Sequence, residues 1–145
     1  DVEWIKKLWG GKLIIKGILD EGDARLAANS GADALVVSNH GGRQLDGAIS
    51  SIQALPGIVD AVGKDIEVWM DGGIRSGQDV LKAWALGAKG TLIGRPFLNG
   101  LGAMGEAGVT KCLEIIHREL DVTMAFTGHR DIQNVTKDIL YPGTY

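Results

Sequence analysis

One cysteine, Cys112, stands in the 145 residues, so the chain can form no internal disulfide and makes no claim on an oxidising compartment. No two histidines have the spacing of a zinc protease helix, and Cys112 sits in an apolar helical setting, so metal and thiol catalysis find no support. Basic charge is not in excess. Fifteen Lys and Arg against 18 Asp and Glu give a formal net charge of -3, without the footprint of a nucleic-acid binder or the polybasic patch of a membrane-surface protein. No stretch approaches the roughly 18 consecutive apolar residues of a membrane span, and the opening DVEWIKK lacks the charged-then-apolar order of a signal peptide. Aromatic residues make up only 6%, and Trp4, Trp9, Trp69 and Trp84 read as packing anchors rather than a base-stacking surface. These absences point to a small-molecule site in a cytoplasmic protein, with peripheral attachment to the inner face of the plasma membrane as the alternative. An initiator methionine is also lacking, and the sequence opens inside a helix-like segment, so a piece of a longer chain is expected.

What is present is glycine, 22 residues against 3 prolines, without a collagen period. That suits tight turns and close backbone approaches. Four short apolar runs, KLIIKGI (12–18), ALVVSN (34–39), IEVWMDG (66–72) and GTLIGR (90–95), read as parallel strands buried on both faces. Helical segments lie between them. DARLAANS (23–30) follows a possible cap at Asp20; residues 51–62 contain Pro56, which predicts a helix starting near that proline. Ser76 with Asp79 predicts an N-cap for a helix whose Val80, Ala83 and Trp84 share a face and which Gly87 ends. A longer helix is expected over about 106–126, with Val109, Cys112, Leu113, Ile116 and Leu120 at helical spacing. SGADALVVSN and LGAKGTLIGR repeat the same order of helix end, Gly-Ala and strand. Alternating β and α units predict a parallel α/β sheet. Four such units are half of a (β/α)8 TIM barrel; the doubly wound alternative lacks its Gly-x-Gly-x-x-Gly turn. One domain over residues 1–145 is expected.

In such a fold the chemistry sits at the C-terminal ends of strands. Lys16, then Ser38-Asn39-His40-Gly41-Gly42-Arg43, then Asp71-Gly72-Gly73-Ile74-Arg75, then Gly94-Arg95 all fall there. The last two clusters suit a phosphate: glycines admit backbone N–H groups to an anion, helix N-termini add positive dipole, and arginine supplies a charged fork. PFLNGLGAMG (96–105) is placed to be the short helix that barrels often add at this site. Turn glycines and surface-paired arginines are the alternative. Asp71 would repel a phosphate, so it is expected to accept hydrogen bonds from hydroxyls of the same ligand, or to act as a local cap. His40 suits proton transfer near neutrality, and Arg43 can clamp a carboxylate beside it. The competing reading is a loop histidine that caps a helix and an arginine paired with Asp46. His117, in EIIHRE, is expected to face solvent, and His129 to lie in a loop.

SNHGGRQLD, preceded by an apolar strand and followed by DGGIR and IGRP, resembles the C-terminal half of the FMN-dependent α-hydroxy acid oxidase and dehydrogenase family, which includes glycolate oxidase, L-lactate dehydrogenase and mandelate dehydrogenase. The resemblance runs in order through essentially the whole chain, and the nine-residue stretch is its most specific part. It implies FMN as cofactor and a small L-2-hydroxy acid, L-lactate first, as substrate. By this resemblance His40 matches the base, Arg43 the guanidinium that holds the substrate carboxylate, and Lys16 the cation beside the flavin N1 and O2 edge. Ser38 matches a serine touching the flavin. Asp71, Gly72, Gly73, Ile74 and Arg75 match the ribityl and phosphate segment, and Gly94 with Arg95 a second phosphate contact. The family's aspartate partner of the base, its second substrate arginine, its active-site tyrosines and several flavin contacts belong to the first four units, which have no counterpart here. The resemblance therefore implies a chain inactive alone, which needs the N-terminal half of the barrel as partner, within an oligomer of the complete enzyme. Isopentenyl diphosphate isomerase and IMP dehydrogenase share the GG and GR elements but not HGGR. A non-catalytic half-barrel that keeps only a phosphate site is the reading outside enzymes.

Overall fold

The computed structural model describes all 145 residues. Helix α1 spans Val2–Trp9, followed by β1 (Ile14–Ile18), α2 (Glu21–Asn29), β2 (Ala34–Val37), α3 (Ser51–Val62), β3 (Glu67–Asp71), α4 (Gly77–Ala85), β4 (Gly90–Leu92) and α5 (Arg95–Phe126). Short 3-10 turns at His40–Gly42, Ile132–Asn134 and Lys137–Ile139 complete the chain. The four strands form one parallel sheet in the order β1-β2-β3-β4. Strand order follows chain order without reversal, which is the winding of a barrel wall and not of a doubly wound sheet.

The main core lies between the sheet and its helices. Leu35 and Val37 of β2 and Val68 and Met70 of β3 alternate onto that face, where they meet Ala24 of α2, Ala54, Leu55, Ile58 and Val62 of α3, and Ala83 of α4. A smaller cluster joins Leu81 and Ala85 of α4 to Val135, with Trp84, Leu120 and Met124 around it. The contact of α4 with α5 is close enough that a Cβ on Gly77 would lie 1.9 Å from the Leu120 nitrogen.

Four expectations are corrected. Only β2 is buried on both faces; Ile14, Lys16 and Glu67 are exposed, because nothing in this chain stands opposite the inner face of the sheet. Helix α3 begins at Ser51 and runs through Pro56, whose fixed φ is already helical and whose missing N–H costs only the bond to the Ile52 carbonyl. Trp4 and Trp9 do not anchor a core: α1 buries no residue and is tied down by the Lys6 ion pair with Asp33. On the long helix Leu113 is half-exposed and Ile116 is the buried residue of the apolar set. The short helix expected over 96–105 and the long one over 106–126 are present, joined as α5 with a break at Met104 and Gly105. Gly100 and Gly108 touch backbone to backbone across that break.

Candidate active site

Every strand ends at one cleft. A cavity of about 350 Å³ is lined by Lys16 after β1, His40, Arg43 and Gln44 after β2, Asp71 to Arg75 after β3, and Gly94, Arg95 and Pro96 after β4. Four cations and one carboxylate line it, in a chain whose net charge is -3. Lys16 pairs with Asp71 at 2.7 Å. Arg43, Arg75 and Arg95 make no ion pair, and Asp46, offered above as a partner for Arg43, accepts instead from the Gly47 N–H at 3.1 Å. Three guanidinium groups left without carboxylates around one cavity form a receptor for anions.

Local sequence explains the shape of the His40 loop. Asn39 accepts from the Gly41 N–H at 3.0 Å, its own N–H donates to Ser51 Oγ at 3.2 Å, and the Gly42 N–H closes a turn on the Asn39 carbonyl at 3.0 Å. His40 is held at φ 56°. Its N–H donates to Ser38 Oγ at 3.1 Å, and the Lys16 ammonium donates to the same hydroxyl at 3.0 Å. Ser38 is fully buried and does not line the cleft. Its place in the site is one layer below the surface, where it joins Lys16 to His40. Ile74 also points into the core, so only its backbone faces the cavity.

The two helix N-termini near the cleft differ. At α4 the first N–H groups are already taken: Gly77 donates to Glu119 Oε2 at 3.0 Å, Arg75 and Ser76 to Asp79 Oδ2 at 2.9 Å, and Asp79 to Ser76 Oγ at 3.3 Å. The N–H groups of Gly77 and Asp79 in the first turn of α4 are therefore not available to a ligand. Helix α5 starts after Gly94 with no side-chain cap, and Pro96 has no N–H to satisfy. Its first turn opens on the cleft beside Arg95, which makes α5 the anion-facing helix.

The family model for FMN-dependent dehydrogenases matches residues 1–142. The chain belongs to this family. L-lactate dehydrogenases from Caulobacter vibrioides and Azorhizobium caulinodans are each 56% identical to it over 140 residues, and one from Pseudomonas putida is 54% identical. These matches cover 97% of the chain but 37% of each relative, so the chain spans little more than a third of their length. Among solved structures, mandelate oxidase with 3,3-difluoro-2-hydroxy-3-phenylpropionic acid superposes with a TM-score of 0.90 at 46% identity, over 94% of this chain and 41% of that one. The same enzyme in a variant with (S)-mandelic acid gives 0.90 at 47%. The four βα units are thus half of the family's barrel.

FMN is the family's cofactor, and the cleft fits it. Asp71 Oδ1 is buried without any hydrogen-bond partner, an acceptor suited to a sugar-like hydroxyl. Two of the three Lys16 ammonium hydrogens are engaged, by Asp71 and Ser38, and the third remains for an electron-rich ring edge. Gly73 and Gly94 open on empty space where a Cβ would meet nothing, as a phosphate cradle requires. The remaining histidines lie away from the cleft, His117 exposed on α5 and His129 with its Nδ1 near Thr127 Oγ1 at 3.3 Å. Sequence reasoning missed Glu119, which closes on the Gly77 N–H of α4 from 42 residues away and so has no local signal; Asn39, named above only as part of the strand-end cluster, shapes the His40 loop through its local bond to the Gly41 N–H.

Proposed function

We propose that this chain, with the remainder of the barrel its relatives carry, oxidises a short L-2-hydroxy acid, L-lactate foremost, to the 2-oxo acid. The observation that carries the reading is the convergence of His40 and Arg43 on the same cleft as the glycine and arginine clusters, with no ion pair on any of the three arginines. The names of the relatives, L-lactate dehydrogenase and mandelate oxidase, favour the same substrate class.

In this reading Arg43 takes the substrate carboxylate through two parallel N–H bonds, which orients the hydroxyl-bearing carbon against His40. His40 removes a proton from the substrate as general base. FMN, when bound, supplies the two-electron acceptor for that oxidation. Lys16 places positive charge where negative charge gathers as electrons leave the substrate. Asp71 would accept from ribityl hydroxyls, and Arg75, Arg95 and the open first turn of α5 would hold the phosphate. Gly72, Gly73 and Ile74 contribute backbone alone. The proposed location is the cytoplasm, with peripheral attachment to the inner face of the plasma membrane as the alternative.

The test is anaerobic mixing of the FMN-loaded full-length protein with L-lactate. Bleaching of the oxidised flavin's visible absorbance is expected. No bleaching with L-lactate or any other short 2-hydroxy acid overturns the reading.

A further inference from the structure

Two irregular backbone positions face one another at the mouth of the cleft. The first is Gly17. The pairing of β1 with β2 shifts there, Lys16 opposite Val36 and Ile18 opposite Val37, so that Gly17 has no partner across the ladder. Its φ is 104°. The second is His40, at φ 56° the one non-glycine residue with a left-handed backbone, a conformation unfavourable to any residue with a Cβ.

The two are in contact. A Cβ on Gly17 would lie 2.7 Å from His40 Nε2 and 3.2 Å from its Cε1, so the imidazole rests against a strand position that carries no side chain. From the other side, the buried Ser38 hydroxyl accepts the His40 N–H at 3.1 Å and the Lys16 ammonium at 3.0 Å. One hydroxyl thereby fixes the loop that bears the imidazole to the strand that seats it. A register shift beside a reactive group is a known means of re-aiming side chains.

We propose that Gly17 and Ser38 are positioning residues for His40: Gly17 provides the seat for the ring, and Ser38 holds the backbone in the conformation that lays the ring there. The proposal rests on the reading of His40 as the base. Its force comes from the sensitivity of proton transfer to placement, since a shift of about 1 Å can cost on the order of 10² in rate.

The decisive experiment is a double-mutant cycle in the FMN-loaded full-length protein with Gly17→Ala, His40→Gln and the pair together, read by anaerobic flavin reduction. Gly17→Ala alone is expected to slow reduction at least about tenfold with FMN retained. In the His40→Gln background the same substitution is expected to change the rate less than about twofold, because its effect passes through the imidazole. A crystal structure of Gly17→Ala is expected to show the ring turned away from β1. Equal slowing in both backgrounds, or a ring left in place, overturns the positioning role and leaves the base assignment standing. A wild-type rate in His40→Gln overturns the base assignment and the positioning role with it. Should Gly17→Ala fail to load FMN, Ser38→Ala decides, since it removes the acceptor of the His40 N–H and keeps the shifted register. A fall of about fivefold that vanishes in the His40→Gln background supports the proposal, and an unchanged rate overturns it.

Discussion

Arg43 has no carboxylate partner and lines the cleft beside His40, so its substitution tests substrate capture rather than stability. Arg43→Lys keeps the charge but replaces a two-pronged contact by a point charge. The loss of one charge-assisted hydrogen bond is expected to raise KM for the 2-hydroxy acid about 10-fold to 100-fold in the full-length protein. An unchanged KM by steady-state kinetics removes Arg43 from the site. At this scale the sequence was informative where chemistry and position coincided. The cluster SNHGGR could be read because a histidine, two glycines and an arginine interrupt an apolar run at a strand end. The pairing of Lys16 with Asp71 could not, because the two lie 55 residues apart in sequence and meet only when β1 and β3 lie in one sheet.

Among the elements, the contact of α4 with α5 gives a sharp prediction. Glycine inside an exposed helix is ordinarily improved by alanine by roughly 1 kcal/mol. At Gly77 the sign reverses, since the added Cβ would lie 1.9 Å from the Leu120 nitrogen, a backbone atom that cannot swing away. Gly77→Ala is expected to destabilise by about 1–3 kcal/mol, read as a lower urea midpoint, and a raised midpoint contradicts the packing described. Asp33 offers the second. The Leu13 N–H, Lys12 and Lys6 beside it hold its carboxyl well below the ordinary value of 3.8. Because the folded pKa is depressed, the stability Asp33 contributes is fully present above 3.8 and drains away as pH falls below it. Asp33→Asn is expected to lower the thermal midpoint at neutral pH and to narrow its difference from wild type as acid is added below that value. A constant difference down to strongly acid pH contradicts the linkage. The capping box of Ser76 and Asp79 was legible from two residues three apart, whereas α3 was not: a proline inside a helical pattern signals a boundary, and only the surrounding core of Leu55, Ile58 and Val62 holds the helix through it.

The whole molecule is a barrel wall with two unpaired edges. β1 and β4 each lack one neighbour, Ile14 and Leu92 are exposed on them, and Trp4, Leu8 and Trp9 of α1 are open to solvent. Unpaired edges and exposed apolar side chains recruit other chains. The 145-residue chain by itself is expected to associate with rising concentration in sedimentation velocity, and a strictly monomeric boundary across the range contradicts this. Four alternating units and their order were evident in the apolar runs. Which faces are covered was not, since a strand that is buried in a complete barrel carries the same residues when its inner face is open. The central claim, that His40 is the base of a flavin-dependent 2-hydroxy acid oxidation, is tested most directly by stopped-flow reduction of the FMN-loaded full-length protein with L-lactate. His40→Gln is expected to retain FMN and to reduce it about 10² to 10⁴ times more slowly than the wild type. A loss smaller than about tenfold contradicts the account.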